Sequence, residues 1–79
     1  MHSKREVYHV LYDEKMPSWK IELEGRERPV TRTITRSEAV ELALKLGRSA
    51  ELALIFVHRQ DGSIETEHTY GEDGGRIAS

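Results

Sequence analysis

The segment from Thr35 to Gly47 constrains the fold more than any other part of the chain. Thr35-Arg-Ser-Glu38 is a capping box, in which the Thr35 hydroxyl accepts the Glu38 amide and the Glu38 carboxylate reaches back to the Thr35 amide. Apolar residues follow at the spacing i, i+3, i+4, i+7, which predicts a buried stripe of Ala39, Leu42, Ala43 and Leu46, widened by Val40 and Leu44. Gly47 fits the C′ position that ends a helix. The chain therefore contains one amphipathic helix with a single face to bury.

The segments before this helix have the two-residue period of β-strands. Residues 5–12 carry β-branched and aromatic side chains on both faces, which predicts a central strand. Residues 19–24 alternate between apolar and charged types, which is typical of a strand with one buried and one solvent-exposed face. The stretch from residue 26 to residue 34 favours extended backbone, and Pro29 limits it to an edge strand.

Two further strands are predicted after the helix. Residues 51–58 contain the apolar run Leu52 to Val57, which predicts burial on both faces. Asp61-Gly62 predicts a hairpin turn. The turn leads into a strand at residues 63–70 that has one solvent-exposed face. The sequence thus predicts a two-layer α+β fold, with one amphipathic helix packed on an antiparallel sheet of four to five strands in the order β-β-(β)-α-β-β.

The length of 79 residues suits one domain with a thin core. We expect residues 5–71 to form this domain, residues 1–4 to be disordered, and residues 72–79, with their glycines, to be a flexible tail. The chain has no cysteine, which agrees with a cytoplasmic location and excludes thiolate metal sites. No apolar run approaches the length of a membrane helix, so we expect a soluble protein with no membrane contact.

The polar side chains do not form a known catalytic pattern. Nucleophile and phosphate-loop motifs are absent from the sequence, and the carboxylates fall on predicted solvated faces, so we predict that the protein is not an enzyme and uses no cofactor. His9, His58 and His68 could approach one another on adjacent strands, and three imidazoles would make a zinc or copper site. Because no tight ligand spacing occurs, the interpretation favoured by the sequence is half-buried strand histidines and no metal.

One local basic cluster is present between the second predicted strand and the helix. In extended backbone its four arginines share one parity and could follow a phosphate backbone; they are Arg26, Arg28, Arg32 and Arg36. The chain as a whole has twelve basic and fourteen acidic side chains, a formal charge of −2. Nucleic-acid binding is therefore the alternative hypothesis, because the charge balance argues against a dedicated nucleic-acid binder and arginines on an edge strand also prevent aggregation.

The central strands predict an interaction surface. On residues 5–12 and 51–58 both faces carry large apolar groups, but one helix covers only one face of a sheet. The outer strands add polar positions around the uncovered apolar centre, which is the usual anatomy of an interface. The sequence therefore favours a protein-interaction module, and a homodimer is the commonest way for a small protein to cover such a patch. The sequence leaves open which face the helix covers.

Several of these landmarks together resemble the small bacterial family called domain of unknown function 2188. The resemblance spans about residues 8 to 71 and lies in Tyr8-His9-Val10, Trp19-Lys20-Ile21, Glu24-Gly25, Thr35, Glu38-Ala39-Val40, Ala43, Val57-His58, Asp61-Gly62-Ser63-Ile64 and Tyr70-Gly71. The longer apolar run from Leu52 to Phe56 and the arginine-rich segment from Arg26 to Arg36 depart from the family pattern. The resemblance supports the fold and implies a bacterial source, but it implies no function and no catalytic residues.

Overall fold

The computed structural model describes residues 5–71, which form five strands and one helix. The elements are β1 (Arg5–Asp13), β2 (Ser18–Leu23), β3 (Thr31–Thr33), α1 (Arg36–Ser49), β4 (Leu52–His58) and β5 (Ile64–Tyr70). The helix packs on one face of a five-stranded sheet with the order β3-β2-β1-β4-β5. The predicted α+β architecture and its element order are confirmed. The expected disordered N-terminus and flexible tail lie outside the described residues.

The sheet is mixed, whereas the sequence predicted an antiparallel one. Three strand pairs are antiparallel, but β1 and β4 pair in parallel, with Tyr8 opposite Ile55 and Val10 opposite Val57. The reason is the connection through the helix. β3 runs in the same direction as β1, and α1 returns the chain to the other end of the sheet, so β4 starts in that direction again. A parallel connection needs a crossover of this kind.

The core lies between α1 and the three central strands. Val10, Ile21, Ile55 and Val57 are fully buried, and the small residues Ala39 and Ala43 allow the helix to approach them closely. Tyr8 belongs to this cluster and is 5% exposed. The helix therefore covers the face of β1 that carries Tyr8, Val10 and Tyr12, which answers the question that the sequence left open.

The helix begins where the sequence predicts. Thr35 is the N-cap: its hydroxyl accepts the Glu38 amide at 3.2 Å, and the Glu38 carboxylate accepts the Thr35 amide at 3.3 Å. Both halves of the capping box are thus formed, so two of the free amides at the start of α1, those of Thr35 and Glu38, have acceptors.

The predicted phase and end of the helix are partly wrong. The buried positions are Ala39, Ala43 and Gly47, while Leu46 is half-buried and Leu42 is 38% exposed. Gly47 does not end the helix, which continues to Ser49 with Ala50 as its C-cap. The i, i+4, i+8 row of small residues faces the sheet because only small side chains fit there, and the leucines lie on its two sides.

Candidate interaction surface

The sheet face away from α1, called here the open face, has an apolar centre. It comprises Val7, His9 and Leu11 from β1 and Leu52, Leu54, Phe56 and His58 from β4. These residues are half-buried, whereas the alternate residues of β4, which point to the helix, are buried. The five apolar residues of the open face lie outside the cluster that packs between helix and sheet. The predicted two-sided burial of β4 is therefore wrong for the described chain, since one face remains accessible.

Charged side chains of both signs surround this apolar centre. On β2, Lys20 and Glu22 form an ion pair at 3.2 Å. On β3, Arg32 lies opposite Lys20 and donates to the Asp13 carboxylate at 2.9 Å. This guanidinium holds the pKa of the Asp13 carboxyl below its usual range. At the other edge, Glu67 of β5 lies opposite Phe56. The open face thus has the apolar centre and polar rim expected of an interface.

A chain of polar contacts crosses the middle of the open face. His9 Nδ1 lies 3.0 Å from His58 Nε2, and His9 Nε2 lies 2.8 Å from Glu24 Oε2. His58 Nδ1 lies 3.0 Å from the Gly62 carbonyl oxygen in the hairpin turn. The His9 ring also stacks on Phe56, with the ring centroids 5.3 Å apart. The outer nitrogens of both rings are therefore held by polar contacts, and stacking on Phe56 restrains the His9 ring.

The structure brings two of the three strand histidines together. The parallel pairing of β1 with β4 places His9 beside Phe56, so His58 lies diagonally next to His9. His68 lies opposite Ile55, which is buried under the helix, so it belongs to the other face of the sheet. Glu24 was not predicted to belong to this group. The alternation of side chains along β2 could have indicated it, because Glu24 shares a strand face with Glu22, and Glu22 lies opposite His9.

The four arginines of the alternative hypothesis do not form one edge. Arg26 and Arg28 are exposed in the loop between β2 and β3, and Arg32 lies on the open-face side of β3. Arg36 begins the helix on the opposite side, where it lies 5.9 Å from the Trp19 ring centroid and pairs with Glu65. The extended backbone that would align them is limited to Thr31–Thr33. Only Arg26 and Arg28 remain as adjacent exposed cations of this group.

The comparison with protein families confirms the family that the landmarks of the sequence resemble. A family model described as an uncharacterized protein conserved in bacteria (DUF2188) matches residues 8–70. The chain belongs to this family. Both histidines of the open face, Glu24 and all five strands lie wholly or mostly within the matched residues. No curated protein and no solved structure matches the chain significantly. Among residues 5–71, no helix is long and apolar enough to cross a membrane.

Proposed function

We propose that this bacterial domain is a non-enzymatic protein-interaction module that forms a homodimer through the open face. The observation that carries the proposal is the pair of parallel strands at the centre of the sheet. β1 and β4 present half-buried Val7, Leu11, Leu54 and Phe56 on the side that the helix leaves uncovered. A contiguous apolar surface of this kind on a small domain marks an interaction site.

Covering this surface would bury apolar side chains that the helix leaves partly accessible. Complete burial of a leucine or phenylalanine side chain contributes about 1.5–3 kcal/mol relative to full exposure. The residues of the open face are half-buried, so each has part of that contribution still to gain. A partner that covers several of them at once can offset the loss of rotational and translational freedom on association.

A second copy of the chain fits this face because the face is balanced in charge. The rim contains Lys20 and Arg32 as well as Glu22, Glu24 and Glu67. A rim with both signs does not select a partner of one charge, and it lets a twofold pair place opposite charges against each other. In an isologous dimer the same apolar centre also covers itself.

Sedimentation equilibrium up to high micromolar concentration tests the dimer. We expect the wild type to self-associate and Leu54→Asp, which places a charge at the centre of the open face, to be monomeric. Leu42→Asp is the matched control, because Leu42 is 38% exposed on the helix at the opposite side of the molecule. A wild type that remains a clean monomer, or a Leu54→Asp variant that associates as well as Leu42→Asp, would contradict the proposal.

The alternative function is weak nucleic-acid binding through Arg26, Arg28, Arg32 and Arg36. It is the less supported proposal, because Arg32 and Arg36 are engaged with Asp13 and Glu65 on different sides of the sheet. If such binding occurs, replacing one phosphate-contacting arginine reduces the salt slope of the affinity by about 1. A binding titration at several salt concentrations separates this function from the dimer. Cytoplasmic localisation stays a prediction from the sequence.

A further inference from the structure

The polar contacts of His9 and His58 fix which ring nitrogens carry hydrogen. An ionised carboxylate can accept hydrogen bonds but cannot donate them. The His9 Nε2 atom, 2.8 Å from the Glu24 carboxylate, is therefore the donor. The Gly62 carbonyl oxygen also only accepts, so the His58 Nδ1 atom at 3.0 Å donates to it. These assignments follow from the partners, as they must when hydrogen positions are inferred from a network.

The remaining nitrogen of each neutral ring then carries a lone pair, and the two lone-pair nitrogens face each other. His9 Nδ1 and His58 Nε2 are 3.0 Å apart. Two acceptors at this separation repel unless a positive species joins them. A proton can do this by making one histidine cationic, and a metal ion can do it by taking both lone pairs.

We propose that His9 Nδ1 and His58 Nε2 bind a divalent transition-metal ion at the open face. Neutral imidazole nitrogen is a preferred ligand of copper, nickel and zinc. Where the pair is joined by a proton, metal binding releases that proton to solvent, and both rings turn so that their lone pairs meet at the ion. The proposal does not depend on the dimer, since both ligands come from one chain.

The separation of the two nitrogens suits cis ligands of one ion. With metal–nitrogen bonds of about 2.0–2.1 Å, two nitrogens at a right angle lie about 2.9 Å apart, and two at the tetrahedral angle lie about 3.3 Å apart. The observed 3.0 Å is closer to the right-angle value. The separation therefore suits two ligands of one ion, and the usual order of affinities favours Cu²⁺ over Zn²⁺.

The outer partners of the two histidines are those that metal-binding histidines have. A metal-bound imidazole usually donates its other N–H to a carboxylate or a backbone carbonyl, which fixes the ring and strengthens the ligand. His9 has the Glu24 carboxylate in this role, and His58 has the Gly62 carbonyl. Phe56 also limits rotation of the His9 ring by stacking on it.

The site is accessible, and it offers two protein ligands. The His9 side chain is 22% exposed, and the open face lies away from the helix. Within residues 5–71, no group of three or more histidine, aspartate or glutamate side chains could hold a metal ion. The other coordination positions are therefore open to water or to a donor from a molecule that covers the open face.

Isothermal titration of the 79-residue chain with Cu²⁺ and with Zn²⁺ tests the site. We expect one ion per chain and tighter binding of Cu²⁺ than of Zn²⁺, following the usual order of affinities. His9→Ala and His58→Ala should each weaken binding by about tenfold or more, and Glu24→Ala by about 10–100-fold. His68→Ala is the matched control, because His68 lies on the other face of the sheet and should leave the affinity unchanged. All titrations use a His2→Ala background, so that the fourth histidine of the chain does not contribute.

A measurement on the His2→Ala protein with its strand histidines intact keeps the test decisive if an alanine variant fails to fold. Substoichiometric Cu²⁺ should broaden the ring-proton NMR signals of His9 and His58 and spare those of His68. No binding at about millimolar Cu²⁺, binding that persists in both alanine variants, or broadening centred on His68 would overturn the proposal. Sedimentation in the presence of a chelator tests the dimer separately, so failure of one proposal is distinguishable from failure of the other.

Discussion

Gly47 of the helix packs directly against Ile55 of β4. A Cβ atom added at Gly47 would lie 2.5 Å from Ile55 Cδ1 and 3.0 Å from Tyr70 Cδ2. Ile55 is fully buried, so its side chain has little space into which it could move. This contact explains why a glycine occupies this position within the helix. It also sets the distance between the helix and the sheet at the β4–β5 end.

We expect Gly47→Ala to destabilise the fold. Overpacking in a filled core typically costs about 1–3 kcal/mol, which exceeds the gain of about 0.8–1.0 kcal/mol from replacing glycine by alanine within a helix. Urea unfolding measures the difference. Arg48→Ala is the control at the next, exposed position. A more stable Gly47→Ala protein would show that Ile55 and Tyr70 can move aside.

Leu46 and Leu42 should differ in their contribution to the free energy of unfolding. Leu46 packs against the core, whereas Leu42 is 38% exposed. We expect Leu46→Ala to cost about 2 kcal/mol, the low end of the range for buried leucines, because Leu46 is half-buried. Leu42→Ala should cost much less. Equal losses in the two unfolding curves would contradict the helix phase of the structure.

The capping box predicts a loss of stability in Thr35→Ala. The substitution removes the acceptor of the Glu38 amide at the first turn of the helix. Such a change costs about 0.5–2 kcal/mol. Ser37→Ala, at an exposed position of the same turn, is the control and should change the unfolding midpoint little. If the two variants unfold together, the cap contributes nothing measurable.

Tyr8 should ionise at unusually high pH. Burial, followed by the hydrogen bond from the Tyr8 hydroxyl to Glu6 and the charge of Glu6, raises its pKa from 10.0 to about 12. The unfolded chain loses this proton at lower pH than the folded one, so the contribution of Tyr8 to stability is present below pH 10 and declines as pH rises towards 12. An ultraviolet alkaline titration should lose its highest step in Tyr8→Phe. Loss of a step near pH 10 instead would contradict this assignment.

The sequence predicted the elements of the fold because their signals are local. The capping box at Thr35, the Asp61-Gly62 turn and the alternation on β2 all depend on residues within a few positions of each other. These signals predict the start of the helix, the hairpin and the solvent-exposed side of a strand independently of the rest of the chain. The apolar character of both faces of β1 and β4 is local in the same sense, and it predicted a face that one helix leaves uncovered.

Tertiary structure decided which residues meet. The direction of β4 depends on the crossover through α1, and that parallel pairing places His9 beside His58. The register of β5 on β4 places His68 opposite Ile55, on the other face of the sheet. The helix phase depends on the space above Ile55, where Gly47 fits and a larger side chain does not. Neither outcome is encoded in a short stretch of sequence, because each results from the distance and register between elements far apart in the chain. By itself the sequence determined the secondary-structure elements and the existence of an open face, and the packing of helix on sheet decided which side chains lie on it.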